Sequence, residues 1–158
     1  GEKFICDKMP GNFMQIDMIK LMLPNAKIIH SKRNPMDTCL SNYKTLFYKG
    51  HYYSYDLEEL GGYYKNYQAY MEHWHSLFPG YIYDLQYEEL IEDQENQTKK
   101  LLEFCGLEWH EACLDFHKSK RQVLTASVNQ VRRPLYKSSV EKWRNYEDAL
   151  GPLISVLN

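Results

Sequence analysis

One stretch, residues 26–41 (AKIIHSKRNPMDTCLS), limits the fold more than any other part of the 158-residue chain. Its first half, Lys27-Ile28-Ile29-His30, is a short apolar run suited to a buried strand of a parallel sheet. Its second half starts a helix. Asn34 is a favourable N-cap, Pro35 fits the first helical position, and Asp37 lies three residues on, in capping-box register. Lys32 and Arg33 therefore fall in the tight strand-to-helix turn. Two cations, free amides and the positive end of a helix dipole form the local arrangement that holds phosphate. Ser41 is two turns further along the same face, roughly 10 Å up the axis by helical rise. The plain alternative is a βα turn whose arginine pairs with a surface carboxylate.

Arg33-Asn34-Pro35-x-Asp37-x-x-x-Ser41 resembles the 3′-phosphate-binding motif of sulfotransferases that use 3′-phosphoadenosine 5′-phosphosulfate. The resemblance implies that Arg33 and Ser41 hold that phosphate. Three other segments resemble the same superfamily in the same order. Cys6-Asp7-Lys8-Met9-Pro10 is similar to the segment of protein-tyrosine sulfotransferases that supplies a transition-state-stabilising lysine, which would be Lys8. Tyr87-Glu88-Glu89-Leu90 is similar to the segment whose tyrosine lies beside the nucleotide.

The last segment is the most specific. Ser127-x-x-Gln130-Val131-x-Arg133-Pro134 with Glu141-Lys142-Trp143 resembles the part that closes over the nucleotide in tyrosine sulfotransferases. Arg132-Arg133-Pro134-Leu135-Tyr136 and Ser139-Val140-x-x-Trp143-Arg144-x-Tyr146 are closer still to bacterial sulfotransferases that follow tetratricopeptide repeats. By that resemblance Ser127 contacts both nucleotide and sulfuryl group, and Lys142 reaches the phosphate region. Gln130, Val131, Arg132 and Arg133 complete the nucleotide-binding set.

The order of elements agrees. Residues 3–7 read as a strand, and Phe13, Ile16, Ile19 and Leu23 recur with helical spacing up to Pro24-Asn25. A long helix is expected over 56–78, because Leu57, Leu60, Tyr64, Tyr67, Met71, Trp74 and Phe78 alternate three and four apart. Gly61-Gly62 interrupt its first turns and are expected to bend it. Residues 81–85 read as a third strand and 93–105 as a helix ended by Gly106 in the left-handed conformation. Ser138-x-x-Glu141 reads as a capping box opening a helix through Trp143. Alternating βαβα order implies a parallel sheet whose ligand sits beyond the strand C-termini. The resemblance narrows this to an α/β, P-loop-NTPase-like sulfotransferase fold with flanking helices.

Two departures bear on activity. Sulfotransferases cradle the 5′-phosphosulfate in a Gly/Ser/Thr-rich loop after the first strand, and none precedes Lys8; the catalytic Glu or His expected between that loop and the lysine is also missing. Thr45 stands where tyrosine sulfotransferases carry another phosphate-contacting arginine, with Lys44 adjacent. Residues 1–158 thus read as the C-terminal two-thirds of a sulfotransferase domain, lacking its N-terminal strand and phosphosulfate loop. The expected chemistry is sulfuryl transfer from 3′-phosphoadenosine 5′-phosphosulfate to a hydroxyl of a glycan or tyrosine, releasing adenosine 3′,5′-bisphosphate. These residues alone are expected to be inactive. A catalytically silent nucleotide-binding or interaction domain is the alternative.

Charge and cysteines bound the partners. Residues 1–50 hold 8 Lys/Arg and 4 Asp/Glu, 51–118 hold 4 and 14, and 119–158 hold 7 and 3. A basic start and end around an acidic middle suit convergence on one anion and argue against general nucleic-acid binding. No apolar stretch approaches a membrane span, and the first residues lack signal-peptide character. Four cysteines are too few and scattered for a disulfide framework, which points to free thiols in a reducing, cytoplasmic compartment. Cys105, His110, Cys113 and His117 offer zinc ligands, but their spacing fits no common zinc pattern and core cysteines are the simpler reading. His73 and His75 face different sides of a helix, and adjacent Glu88 and Glu89 point apart at a helix start. No metal is expected.

Overall fold

The computed structural model describes residues 4–118 and 133–158. Its elements are α1 (Ile16–Met22), β1 (Ile28–Lys32), α2 (Pro35–Tyr43), α3 (Leu57–Leu77), β2 (Ile82–Gln86), α4 (Tyr87–Glu92), α5 (Gln94–Cys105) and α6 (Gly151–Leu157). Short 3₁₀ segments punctuate the chain, including Pro10–Gln15 before α1 and Lys142–Leu150, kinked at Tyr146, before α6. The fold is α/β. Strands β1 and β2 pair in parallel, with Ile28 opposite Ile82, His30 opposite Asp84 and Lys32 opposite Gln86.

Helix α3 organises the packing. Asp56 caps it by accepting the Glu58 and Glu59 amides, and the apolar stripe runs its full length, about 30 Å by helical rise. The N-terminal half of the stripe packs Leu60 with Cys39 and Leu40 of α2 and with Leu150 and Leu153 near the C-terminus. The C-terminal half packs Met71 and Trp74 with Ile16 of α1 and Ile82 of β2. Burying a side chain such as Leu60 or Leu153 contributes about 1.5–3 kcal/mol. The other face of the sheet carries α5, where Phe104 lies 5.2 Å from Tyr83, ring to ring. Successive residues alternate faces in a strand, so Ile82 and Asp84 look toward α3 while Tyr83 looks toward α5.

Three expectations need correction. The run at residues 3–7 is not a strand where it is described: Phe4–Asp7 are irregular and Ile5 is 94% exposed. A β-prone run needs a neighbour's backbone, and among the described residues β1 and β2 pair only with each other. The capping box at Ser138 does not form. Lys137–Ser139 is a single 3₁₀ turn, Val140 is extended and Glu141 is left-handed at φ 54°. The interruption expected at Gly61-Gly62 is absent, since α3 runs continuously through both.

Gly61 has a packing role instead. A Cβ there would lie 2.9 Å from Val156 Cγ1, so α3 and α6 meet only because this position has no side chain. Gly62, one residue on, faces open space within 4 Å. The two positions should respond with opposite sign in thermal unfolding. Gly62→Ala should stabilise by about 0.5–1 kcal/mol through helix propensity. Gly61→Ala should lose about 1–3 kcal/mol to overpacking against Val156. Equal effects at both would show that the α3–α6 approach is looser than described.

Candidate functional site

The β1–α2 turn is built as its residue types dictate. Asn34 Oδ1 accepts the Asp37 amide at 3.2 Å and Pro35 opens the helix. The reciprocal half of a capping box is missing. Asp37 turns its carboxylate inward, where its side chain is fully buried, and accepts the backbone N–H of Glu141 at 2.7 Å and of Trp143 at 3.0 Å. Those two amides are committed to Asp37, and this is why residues 138–143 fold as an open loop rather than a capped helix. The loop is thereby pinned beside the turn.

Arg33 lies between them. Its Nη2 donates to the Ser139 carbonyl and stands 3.9 Å from Asp37 Oδ2, and its guanidinium carbon lies 5.1 Å from the Tyr87 ring centroid. Its Nε is buried without a partner. The pairing with a surface carboxylate does not occur; the carboxylate beside Arg33 is buried.

Glu88 fills the same turn from the first turn of α4, just past the end of β2. Its Oε1 accepts the Asn34 amide at 2.9 Å, and its second oxygen accepts from Gln86 Nε2. Partial burial raises the Glu88 pKa, but the hydrogen bonds from Asn34 and Gln86 and the Arg33 charge outweigh it and hold the carboxyl below its ordinary value. Sequence reasoning gives Glu88 only a place at a helix start. The missed signal is positional, since Gln86 pairs with Lys32 and places Glu88 at the same edge as Arg33 and Asn34.

The remaining residues sort clearly. Arg33 and Tyr87 come together, with Ser139 and Asp37. Ser41 is exposed on α2, one turn before Lys44. Lys44 Nζ donates to Tyr146 OH at 3.2 Å, and this hydrogen bond, followed by the Lys44 and Lys142 charges, holds that phenol below the usual tyrosine range. Lys142 and Arg133 are exposed in the C-terminal segment. Lys8 is exposed in the irregular stretch before Pro10. Ser127, Gln130, Val131 and Arg132 lie outside the described residues.

Of the possible zinc ligands, His110 uses Nδ1 to accept the Ala112 amide at 3.1 Å. The four cysteines are free; Cys39 is buried, Cys105 and Cys113 are half-buried, and Cys6 is exposed rather than in the core. No helix among the described residues is long and apolar enough to cross a membrane.

The β1–α2 turn thus sets Arg33 at the C-terminal edge of the parallel strand pair, beside the start of α2. The chain belongs to the sulfotransferase family, whose family model matches residues 1–111. That match includes the Lys8, Arg33 and Tyr87 segments and stops before the segment that begins at Ser127. An uncharacterized protein of Aquifex aeolicus (strain VF5) is 49% identical over 156 residues, which cover 97% of this chain and 20% of that protein.

The turn generates a pH prediction. Glu88 has a lower pKa folded than unfolded, so between the two values the unfolded chain binds more protons and stability falls as pH falls. Urea unfolding between about pH 5 and 3 should therefore give a shallower pH slope for Glu88→Gln than for the native chain. An unchanged slope would mean that the Asn34 and Gln86 hydrogen bonds do not hold this carboxylate.

Proposed function

We propose that this domain binds 3′-phosphoadenosine 5′-phosphosulfate, with its 3′-phosphate at the β1–α2 turn, and serves sulfuryl transfer to an acceptor hydroxyl of a glycan or tyrosine. The observation that carries this reading is Arg33: a guanidinium set at the start of a capped helix, over the Tyr87 ring, with a buried Nε still lacking an acceptor. Arginine has five N–H donors and the Ser139 carbonyl takes one, so a phosphate can be held without dismantling the loop. Ser41 adds a hydroxyl further along α2, and Lys142 brings positive charge from the C-terminal segment. Tyr87 stands where an adenine face would rest. Ser127, Gln130, Val131, Arg132 and Arg133 close over the nucleotide in this reading.

In the transfer step, the bond between sulfur and the bridging phosphate oxygen breaks as the acceptor oxygen bonds to sulfur, and the acceptor hydroxyl gives its proton to a general base that this reading assigns to no residue of 1–158. Negative charge grows on the bridging oxygen and spreads over the sulfuryl group. Lys8 would stabilise the first, and the Ser127 hydroxyl would donate to the second. The chain spans 20% of the length of the Aquifex aeolicus relative, and the acceptor class is part of this proposal.

Residues 1–158 should bind nucleotide without turning over. They contain no Gly/Ser/Thr-rich loop ahead of Lys8 to hold the 5′ end of the donor, and positioning alone is worth roughly 7–11 kcal/mol of barrier. Calorimetry should give tighter binding of adenosine 3′,5′-bisphosphate than of adenosine 5′-monophosphate, with the difference removed by Arg33→Ala. The loss should be about 1.5–3 kcal/mol, that of a charge-assisted hydrogen bond. Equal affinity for the two nucleotides would refute the 3′-phosphate assignment. Sulfate transfer from labelled donor to tyrosyl peptides or glycans, abolished by Lys8→Ala, would refute the inactivity of these residues.

A further inference from the structure

On the α3 face of the sheet, three side chains distant in sequence converge. His30 and Asp84 are register partners on β1 and β2, and their side chains share that face. His75 reaches down from α3, four residues after Met71 and near the end of the helix. Asp84 Oδ1 lies 2.7 Å from His30 Nδ1 and 3.1 Å from His75 Nε2. All three donor atoms lie within 4.8 Å of one another, the one such group of three or more among the described residues.

We propose that His30 Nδ1, His75 Nε2 and Asp84 Oδ1 form a binding site for a zinc-class divalent cation, with its remaining coordination position taken by water. Two imidazoles and a carboxylate are a ligand set suited to zinc. Bonds of about 2.0–2.1 Å in a tetrahedral site place donor atoms roughly 3.3 Å apart, so Asp84 needs to retreat by about half an ångström from His30, and the two imidazole nitrogens, within 4.8 Å of each other, need to settle at the same spacing. Room for that movement exists, because the Asp84 and His75 side chains are about one-third exposed, at 34% and 35%. The same exposure admits water to the open position.

A carboxylate only accepts, so without metal both ring nitrogens facing Asp84 carry hydrogen. A metal-bound imidazole nitrogen carries none, so each bound ring keeps its N–H on the nitrogen away from the cation. For His30 that nitrogen is Nε2, which already faces the Tyr67 hydroxyl and would then donate to it. An outer partner of this kind fixes the tautomer and orientation of a metal-bound imidazole. Lys32 Nζ, 3.2 Å from Asp84 Oδ2, orients the carboxylate while leaving Oδ1 to the cation. Its positive charge opposes the metal, so Lys32→Ala should tighten binding. This arrangement would clip β1, β2 and α3 together and does not depend on the nucleotide reading.

The test is titration of metal-stripped residues 1–158 with Zn²⁺ alone by calorimetry, with Co²⁺ absorption as a second readout. The expected result is one saturable Zn²⁺ per chain and a tetrahedral Co²⁺ spectrum without thiolate charge-transfer bands. His75→Ala, on the helix surface and checked for folding by circular dichroism, should abolish saturable binding. Tyr67→Phe should weaken it by about 10–100-fold. Cys113→Ser should leave it unchanged. Absence of saturable binding, binding that survives His75→Ala, or binding lost with Cys113→Ser would each overturn the proposal.

Discussion

The buried carboxylate of Asp37 is the interaction on which the site depends. It belongs to the first turn of α2, yet its hydrogen-bond partners are two amides over a hundred residues later in the chain. A carboxyl group with no exposed surface is costly unless its oxygens are paired, and here two backbone N–H groups bond to it, one on each oxygen, with the Arg33 guanidinium 3.9 Å away. One residue thus fixes three things: the start of α2, the path of the C-terminal loop, and the neighbourhood of Arg33. Because Arg33 donates to Ser139 in that same loop, the turn and the loop form one unit.

Charge along the chain folds into this arrangement. The basic N-terminal third supplies Arg33 and Lys44, and the basic C-terminal part supplies Lys142. Lys44 reaches Tyr146, while Arg33 meets the loop at Ser139. The acidic middle does not stay apart, since Glu88 sits on the Asn34 amide beside Arg33. A carboxylate already seated in the turn offsets its positive potential when no other anion is near.

Features governed by local chemistry are legible in the residues themselves. Asn34-Pro35 marks the α2 start, the three-and-four spacing from Leu57 to Phe78 defines α3, and Gly106 at φ 67° ends α5. Features set by distant partners are not. The Ser138 capping box is a sound local signal that loses because Asp37 claims the amides of Glu141 and Trp143. Residues 3–7 carry strand propensity, but propensity supplies no neighbour. His75 makes a poor pair with His73 on its own helix, whereas its actual partners come from strand register: His30 is two residues after Ile28, and Asp84 two after Ile82. That pairing becomes visible only once β1 and β2 are known to be adjacent and in parallel. Glu88 escapes a reading of the sequence for the same reason.

The most direct test of Asp37 as the anchor is amide hydrogen exchange at Glu141 and Trp143, read by NMR in the native chain and in Asp37→Ala. Both amides should be protected in the native chain and exchange much faster in the variant. Each orphaned donor should lose about 1–3 kcal/mol of local protection. Amides in the middle of α5, remote from Asp37, should keep their rates. Unchanged exchange at Glu141 and Trp143 would contradict this role, because the C-terminal loop would then be held beside Arg33 by something other than the buried carboxylate.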